Sequence, residues 1–226
     1  MIKKTIYNLK SNKIKKNYSF AVVSDYHNAK YDSILPLITD VDCILMPGDF
    51  VVRYQKGKHT RVKSFLNEAV KIAPVFCSMG NHDFRTIGRK AFINLVSSAG
   101  ATPLIDEFVV WNDIILAGWY YNKNEGILDR LDKSDAYKIL LSHKPEWYPK
   151  YIKDKNFDLI ISGHAHGGQI RIFNRGIFSP GQGLFPKYTH GIYYDKLIVS
   201  TGVSNPVHMP RWGNPKEVII INLNKS

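Results

Sequence analysis

Seven side chains able to ligate a metal each stand just after a short apolar run: Asp25, His27, Asp49, Asn81, His143, His164 and His166. They lie in the segments Asp25-Tyr26-His27, Gly48-Asp49, Gly80-Asn81-His82-Asp83, Ser142-His143 and Gly163-His164-Ala165-His166, which together hold five of the eight histidines. Mixed carboxylate, amide and imidazole donors in that number suffice for two divalent cations of the borderline-hard kind, manganese first, with iron or zinc as alternatives. No thiolate is offered, which argues against a purely structural zinc site. Two cations held close together activate water and neutralise phosphate oxygens, so the expected chemistry is hydrolysis of phosphoesters.

Each group also has a plainer reading. Asp25 and Asp49 can cap helices that follow them, and His143 before Lys144-Pro145 can be an ordinary loop histidine. His164 and His166 are harder to explain away. Two apart on an extended chain, they point to one side, and two protonated imidazoles there would repel each other unless a metal held them neutral.

The apolar runs are the elements that must position these groups. Residues 18–23, 43–46 and 75–79 read as strands, with helical spacing at 33–38, at Val62, Phe65, Leu66, Ala69 and Val70, and over 89–98. A hairpin is expected from 108–111 and 114–118 around Asn112-Asp113. Short apolar strands at 139–141 and 159–161 again run into ligands, and 169–173, 192–200 and 217–222 are strand-like. In open α/β sheets the carboxyl ends of parallel strands share one edge, where ligands distant in sequence converge.

At 226 residues the chain suffices for one buried α/β core, and no linker divides it, so a single domain over 1–226 with a basic segment at 1–17 is expected. The net charge of +12 favours anionic substrates or contact with acidic lipid or nucleic acid. The lysines are scattered, with one cluster at Lys13, Lys15 and Lys16, which weakens a nucleic-acid reading. Cys43 and Cys77 lie in β-like runs without metal spacing and read as reduced core residues. With no apolar stretch of signal or membrane-span length at 1–17, the chain as given reads as cytoplasmic or at most peripheral to an anionic membrane.

The order DxH, GD, GNHD, SH, GHxH resembles the calcineurin-like metallophosphoesterase superfamily over 25–166. Gly167-Gly168-Gln169 and 183–188 look like its small bacterial phosphodiesterase subgroup, often membrane-associated. The resemblance implies an α/β fold with a central β-sandwich flanked by helices in four layers. It implies a first metal on Asp25, His27, Asp49 and His166 and a second on Asp49, Asn81, His143 and His164, with Asp49 bridging. His82, outside that set, is free to act as general acid. The chain departs from the GDxxDR pattern of the phosphatase branch at Val52, where an aspartate would orient the catalytic histidine. Asp83 is the expected substitute, and Arg53 keeps the register of a phosphate-contacting arginine. The expected substrate is a phosphorylated small molecule or a lipid-linked phosphodiester. The competing readings are a nuclease of the same superfamily and a non-catalytic scaffold on the same fold.

Overall fold

The computed structural model describes residues 1–52, 59–120, 126–131, 133–206 and 209–226. In chain order the strands that build its two main sheets begin with β1 (Ile2–Ser11), β2 (Tyr18–Val22), β3 (Cys43–Met46), β4 (Val75–Cys77) and β5 (Thr102–Pro103). They continue through β6 (Glu107–Trp111), β7 (Ile114–Trp119), β8 (Tyr137–Ser142) and β9 (Leu159–Ser162). Two short hairpins follow, β10 (Arg171–Ile172) with β11 (Arg175–Gly176) and β12 (Phe178–Ser179) with β13 (Gly183–Leu184). The last strands are β14 (Gly191–Tyr193), β15 (Leu197–Val199) and β16 (Lys216–Lys225). The α-helices are α1 (Thr60–Ile72), α2 (Asn81–Thr86), α3 (Gly88–Ser97) and α4 (Gly126–Arg130).

One six-stranded sheet runs β1-β16-β2-β3-β4-β5 and the other β14-β15-β9-β8-β7-β6. Strands β2 to β5 are mutually parallel, as are β7, β8, β9 and β15. The two sheets share one apolar layer, in which Phe20, Val22, Leu45 and Ile219 meet Leu116, Ile139, Leu141, Ile161 and Ile198. The outer face of the first sheet packs on Val62, Phe65 and Leu66 of α1 and on Phe92 and Val96 of α3. The outer face of the second covers Ile127 and Leu128 of α4 and the segment carrying Tyr148 and Ile152. The result is the expected four-layer arrangement of helices, sheet, sheet and helices. It forms because the central strands are apolar on both faces, as strands covered on both sides must be.

Several elements differ from the sequence expectation. The 33–38 segment forms only a 3-10 turn at Leu35–Leu37, where Pro36 sits in the first turn. Residues 192–200 are a hairpin rather than one strand: Tyr194 and Asp195 both take positive φ, 55° and 56°, and reverse the chain between β14 and β15. Of the expected 169–173 strand only β10 forms, because the 3-10 turn His166–Gly168 precedes it and Phe173 turns left-handed at φ 47°. The basic segment 1–17 contains β1, which pairs in parallel with β16 from Ile2↔Lys216 to Ser11↔Lys225. Lysines on that outer strand suit an edge that must not pair further. Cys43 and Cys77 are buried and free, as expected. No described helix is long and apolar enough to cross a membrane.

Candidate metal centre

Every proposed ligand lies at the carboxyl end of a parallel strand. Asp25 and His27 follow β2, Asp49 follows β3, Asn81 opens α2 after β4, His143 follows β8, and His164 and His166 follow β9. The loops are stitched together by their backbones. Asp25, His27 and Asn28 donate N–H groups to the carbonyls of Gly48, Asp49 and Phe50, and Gly163 donates to His143. The two sheets are then joined at the site itself, where the His164 N–H reaches the Asp25 carboxylate at 3.1 and 3.2 Å.

Left-handed backbone turns the ligands inward. Asp25, His27, Asp49, His164 and His166 have φ of 51°, 45°, 59°, 65° and 45°. Each such residue costs of order 1–3 kcal/mol and persists only where its surroundings over-determine it. Two glycines let the loops come close enough. A Cβ on Gly163 would lie 1.9 Å from Ser24 Oγ and 2.3 Å from Asp25 Oδ2, and one on Gly80 would lie 2.1 Å from Asp49 Oδ1.

The donor atoms form three overlapping groups: Asp25, His27 and His166; His27, Asp49 and His82; and Asp49, His143 and His164. Within each group one candidate ligand atom per residue lies within 4.8 Å of the others. His27 donates Nδ1–H to the Val51 carbonyl at 3.0 Å, and His143 donates its own to the Pro47 carbonyl at 3.1 Å. Those bonds fix the rings and leave each Nε2 facing the carboxylates, the usual preparation of a metal-binding imidazole. His27 Nε2 is 3.9 Å from Asp25 Oδ1 and 3.8 Å from Asp49 Oδ2, and His143 Nε2 is 3.1 Å from Asp49 Oδ2. Among the described residues, His27 Nε2, His164 Nε2 and Asn81 Oδ1 are buried without a hydrogen-bond partner. Buried polar atoms are ordinarily satisfied, so this set fits divalent cations.

Charge states agree with that fit. Burial holds the His27 pKa at about 4, that of His166 at about 3, and that of His164 well below the ordinary value, so all three rings are uncharged at neutral pH. His143 differs. Burial opposes its charge, but Asp49 outweighs burial and raises its pKa to about 9.

Asp83 does not do what its position beside His82 suggested. Its Oδ2 accepts the N–H groups of Asp49 and Gly80 at 2.9 Å each, and its Oδ1 those of Phe50 and Val51 at 2.8 and 3.0 Å. The carboxylate is fully engaged in binding the loop after β3 to the start of α2, while His82 Nδ1 has no partner among the described residues. The expectation that Asp83 orients His82 is therefore corrected: it positions Asp49. His82 itself is half-buried, and its backbone N–H holds Asp49 Oδ1 at 2.8 Å. Arg53 lies outside the described residues.

Three residues that carried no sequence signal complete the surroundings. Arg211 donates from Nη2 to His166 Nδ1 at 3.0 Å and to the Ser204 carbonyl at 2.6 Å, and burial lowers its pKa to about 10. Because Arg211 can only donate, the His166 proton rests on Nε2, 3.5 Å from Asp25 Oδ1. An ion on that nitrogen requires Arg211 to turn aside. Glu146 places Oε1 3.6 Å from His164 Nε2. Asn214 holds the turn after His166 by donating to the carbonyls of His166 and Gln169 at 2.6 and 3.0 Å. Over the centre opens a cleft of roughly 310 Å³ lined by Asp49, Asn81, His82, Arg85, Lys144 and His164, with Pro180 and Gly181 on one wall.

A four-layer α/β sandwich with overlapping clusters of metal-ligating residues at its strand ends defines a metallophosphoesterase-type protein. The model of the calcineurin-like phosphoesterase family matches residues 18–168, and the chain belongs to that family. It is similar to a metallophosphoesterase of Helicobacter pylori, 29% identical over 192 residues that cover 78% of this chain and 48% of that protein. It is also similar to YkuE of Bacillus subtilis, 30% identical over 219 residues, covering 85% and 74%. Phosphodiesterase YaeI of Escherichia coli is 24% identical over 173 residues, covering 69% and 63%. The chain spans about half the length of the first of these relatives.

Two outcomes follow from the geometry. Asp83→Ala leaves four loop N–H groups without their acceptor, and orphaned buried donors cost about 1–3 kcal/mol each before water relieves them. We expect a loss of about 3 kcal/mol or more, read as a melting temperature lower by about 6 °C or more. A shift within error would show that the staple is dispensable. The second concerns His143 in metal-free protein. Its folded pKa, about 9, exceeds the ordinary 6.5, so its stabilisation is complete below 6.5 and lost as pH rises through 9. Thermal melts of chelator-treated protein should fall across that window, and His143→Asn should flatten the decline; an unchanged slope in the variant contradicts the assignment.

Proposed function

We propose that this chain is a two-metal phosphoesterase that cleaves phosphodiesters of small or lipid-linked substrates. The observation that supports it most is the sharing of Asp49 between two ligand groups, one with His27 and the other with His143 and His164. In this reading Asp25, His27, Asp49 and His166 hold one ion, and Asp49, Asn81, His143 and His164 hold the other. When bound, the ions would supply an activated water and the positive charge that a phosphate needs in its transition state. Manganese, iron and zinc all suit such donors.

The chain's own residues supply the rest. Arg85 and Lys144 line the cleft and give an anionic substrate two cationic contacts on its way in. His82 stands at the same cleft, tied by its backbone to Asp49, with Nδ1 uncommitted among the described residues. In this reading it gives a proton to the departing oxygen. The diester preference draws on the likeness to YaeI, which is named a phosphodiesterase. A cleft of roughly 310 Å³ is at the small end of ligand sites and suits a compact phosphoester.

Leaving-group chemistry tests the role of His82. His82→Ala should slow diesters with alkyl leaving groups by roughly 10²- to 10⁴-fold, the usual worth of a positioned acid. Bis(p-nitrophenyl) phosphate, whose leaving group departs without a full proton, should suffer far less. Equal losses on both substrates with metal content intact would mean that His82 binds substrate and donates no proton.

A further inference from the structure

Exposed apolar side chains are not spread evenly over this surface. Of the thirteen large ones among the described residues, nine fall between Ile172 and Trp212. Phe173 is 97% exposed, Phe185 75%, Leu184 69% and Trp212 67%. Clusters of this kind are uncommon on monomers and mark a surface that something covers.

Pairing gathers them into one lobe. Phe178 and Leu184 face each other across β12 and β13, and the Phe185 N–H bonds the Ile177 carbonyl. Ile170 bridges to Trp212, whose carbonyl accepts the Arg171 N–H. Phe185 and the β10–β11 hairpin share the walls of a cleft of roughly 410 Å³, with Asn174, Arg175, Lys187 and Thr189. Charge on this stretch is one-sided. From Ala165 to Lys216 the sequence has six Arg and Lys against the single carboxylate Asp195; Arg171 is buried and Arg211 is turned to His166, which leaves Arg175 and Lys187 exposed and Lys196 and Lys216 partly so.

We propose that this lobe docks on an anionic lipid surface, with Phe173, Leu184, Phe185 and Trp212 entering the interface and Arg175 and Lys187 meeting lipid phosphates. Aromatic and aliphatic side chains beside cations with almost no carboxylate are what such an interface selects. A protein partner of ordinary mixed charge gives no reason for the missing acids. The lysine cluster near the N-terminus is a poorer candidate, since Lys13 is paired with Asp158 at 2.7 Å.

The lobe also reaches the metal centre. The β12–β13 turn, Pro180 and Gly181, forms part of the wall of the cleft over Asp49, His82 and His164. Docking would set that cleft beside the membrane, where a lipid-linked phosphodiester is presented. This consequence deepens the phosphoesterase reading and rests on it; the docking does not.

The test is co-sedimentation of the full chain with vesicles of phosphatidylcholine alone and of phosphatidylcholine mixed with phosphatidylglycerol. Wild type should bind the mixed vesicles, and added salt should weaken binding. Phe173→Ser with Leu184→Ser, both exposed and outside the cleft over the metals, should lower partitioning about tenfold or more. The same variant should hydrolyse soluble bis(p-nitrophenyl) phosphate at the wild-type rate. Absence of wild-type binding, equal binding by the variant, or a wild-type dimer that the variant splits in sedimentation velocity would each overturn the proposal, the last because a second copy would be the occupant. Vesicle binding without hydrolysis of the soluble diester by wild type would leave the docking standing and count against the phosphoesterase reading.

Discussion

Burying a carboxylate costs several kcal/mol unless its charge is matched, and this chain buries three aspartates where its sheets meet, Asp25, Asp49 and Asp83, the last answered by four backbone N–H groups. Among the described residues only imidazoles stand at ion-pair distance from them. Two of those imidazoles, His27 and His166, are held neutral by burial. The one charged ring, His143, owes its proton to Asp49. The protein has therefore gathered negative charge and lone pairs at one point while leaving little positive charge of its own there. A cation supplied from outside is the natural complement, and the same ion would take the place of the His143 proton.

Holding these groups together requires backbone that most sequences avoid. Five ligand residues in left-handed conformation carry strain of order 1–3 kcal/mol apiece. The surrounding bonds are what make it tolerable. Asp83 gathers four amides from two loops, the Gly48–Phe50 carbonyls receive three more from the loop after β2, and the His164 amide reaches across to Asp25. The apolar layer between the sheets fixes the strands from which those loops spring. Core packing and site geometry are thus one arrangement, since a shift of either sheet would separate Asp25 from His164.

Much of this was legible in the chain. Strands that end in ligands announced the site, because apolar runs of that length followed by Asp or His recur and helices lie between them. α1 and α3 followed their helical spacing, and the β6–β7 hairpin its Asn112-Asp113 turn. What escaped was non-local. β1 is half polar and gains its identity from β16, some two hundred positions away, which no local pattern reveals. Tyr194 and Asp195 broke an apolar run without the glycine that usually marks a tight turn. Asp83 stood next to His82 in sequence, but on a helix adjacent residues point apart, and its carboxylate turned to the backbone. Arg211, Glu146 and Asn214 belong to no motif and were placed at the centre only by the fold.

The central claim is that Asp49 is shared by two ions. Crystals grown with manganese and measured near its absorption edge would give anomalous peaks at the metal positions. The account predicts two peaks about 3.5–4 Å apart, both within coordination distance of Asp49, one flanked by Asp25 and His27 and the other by Asn81 and His143. One peak alone, or two that Asp49 does not bridge, would contradict it.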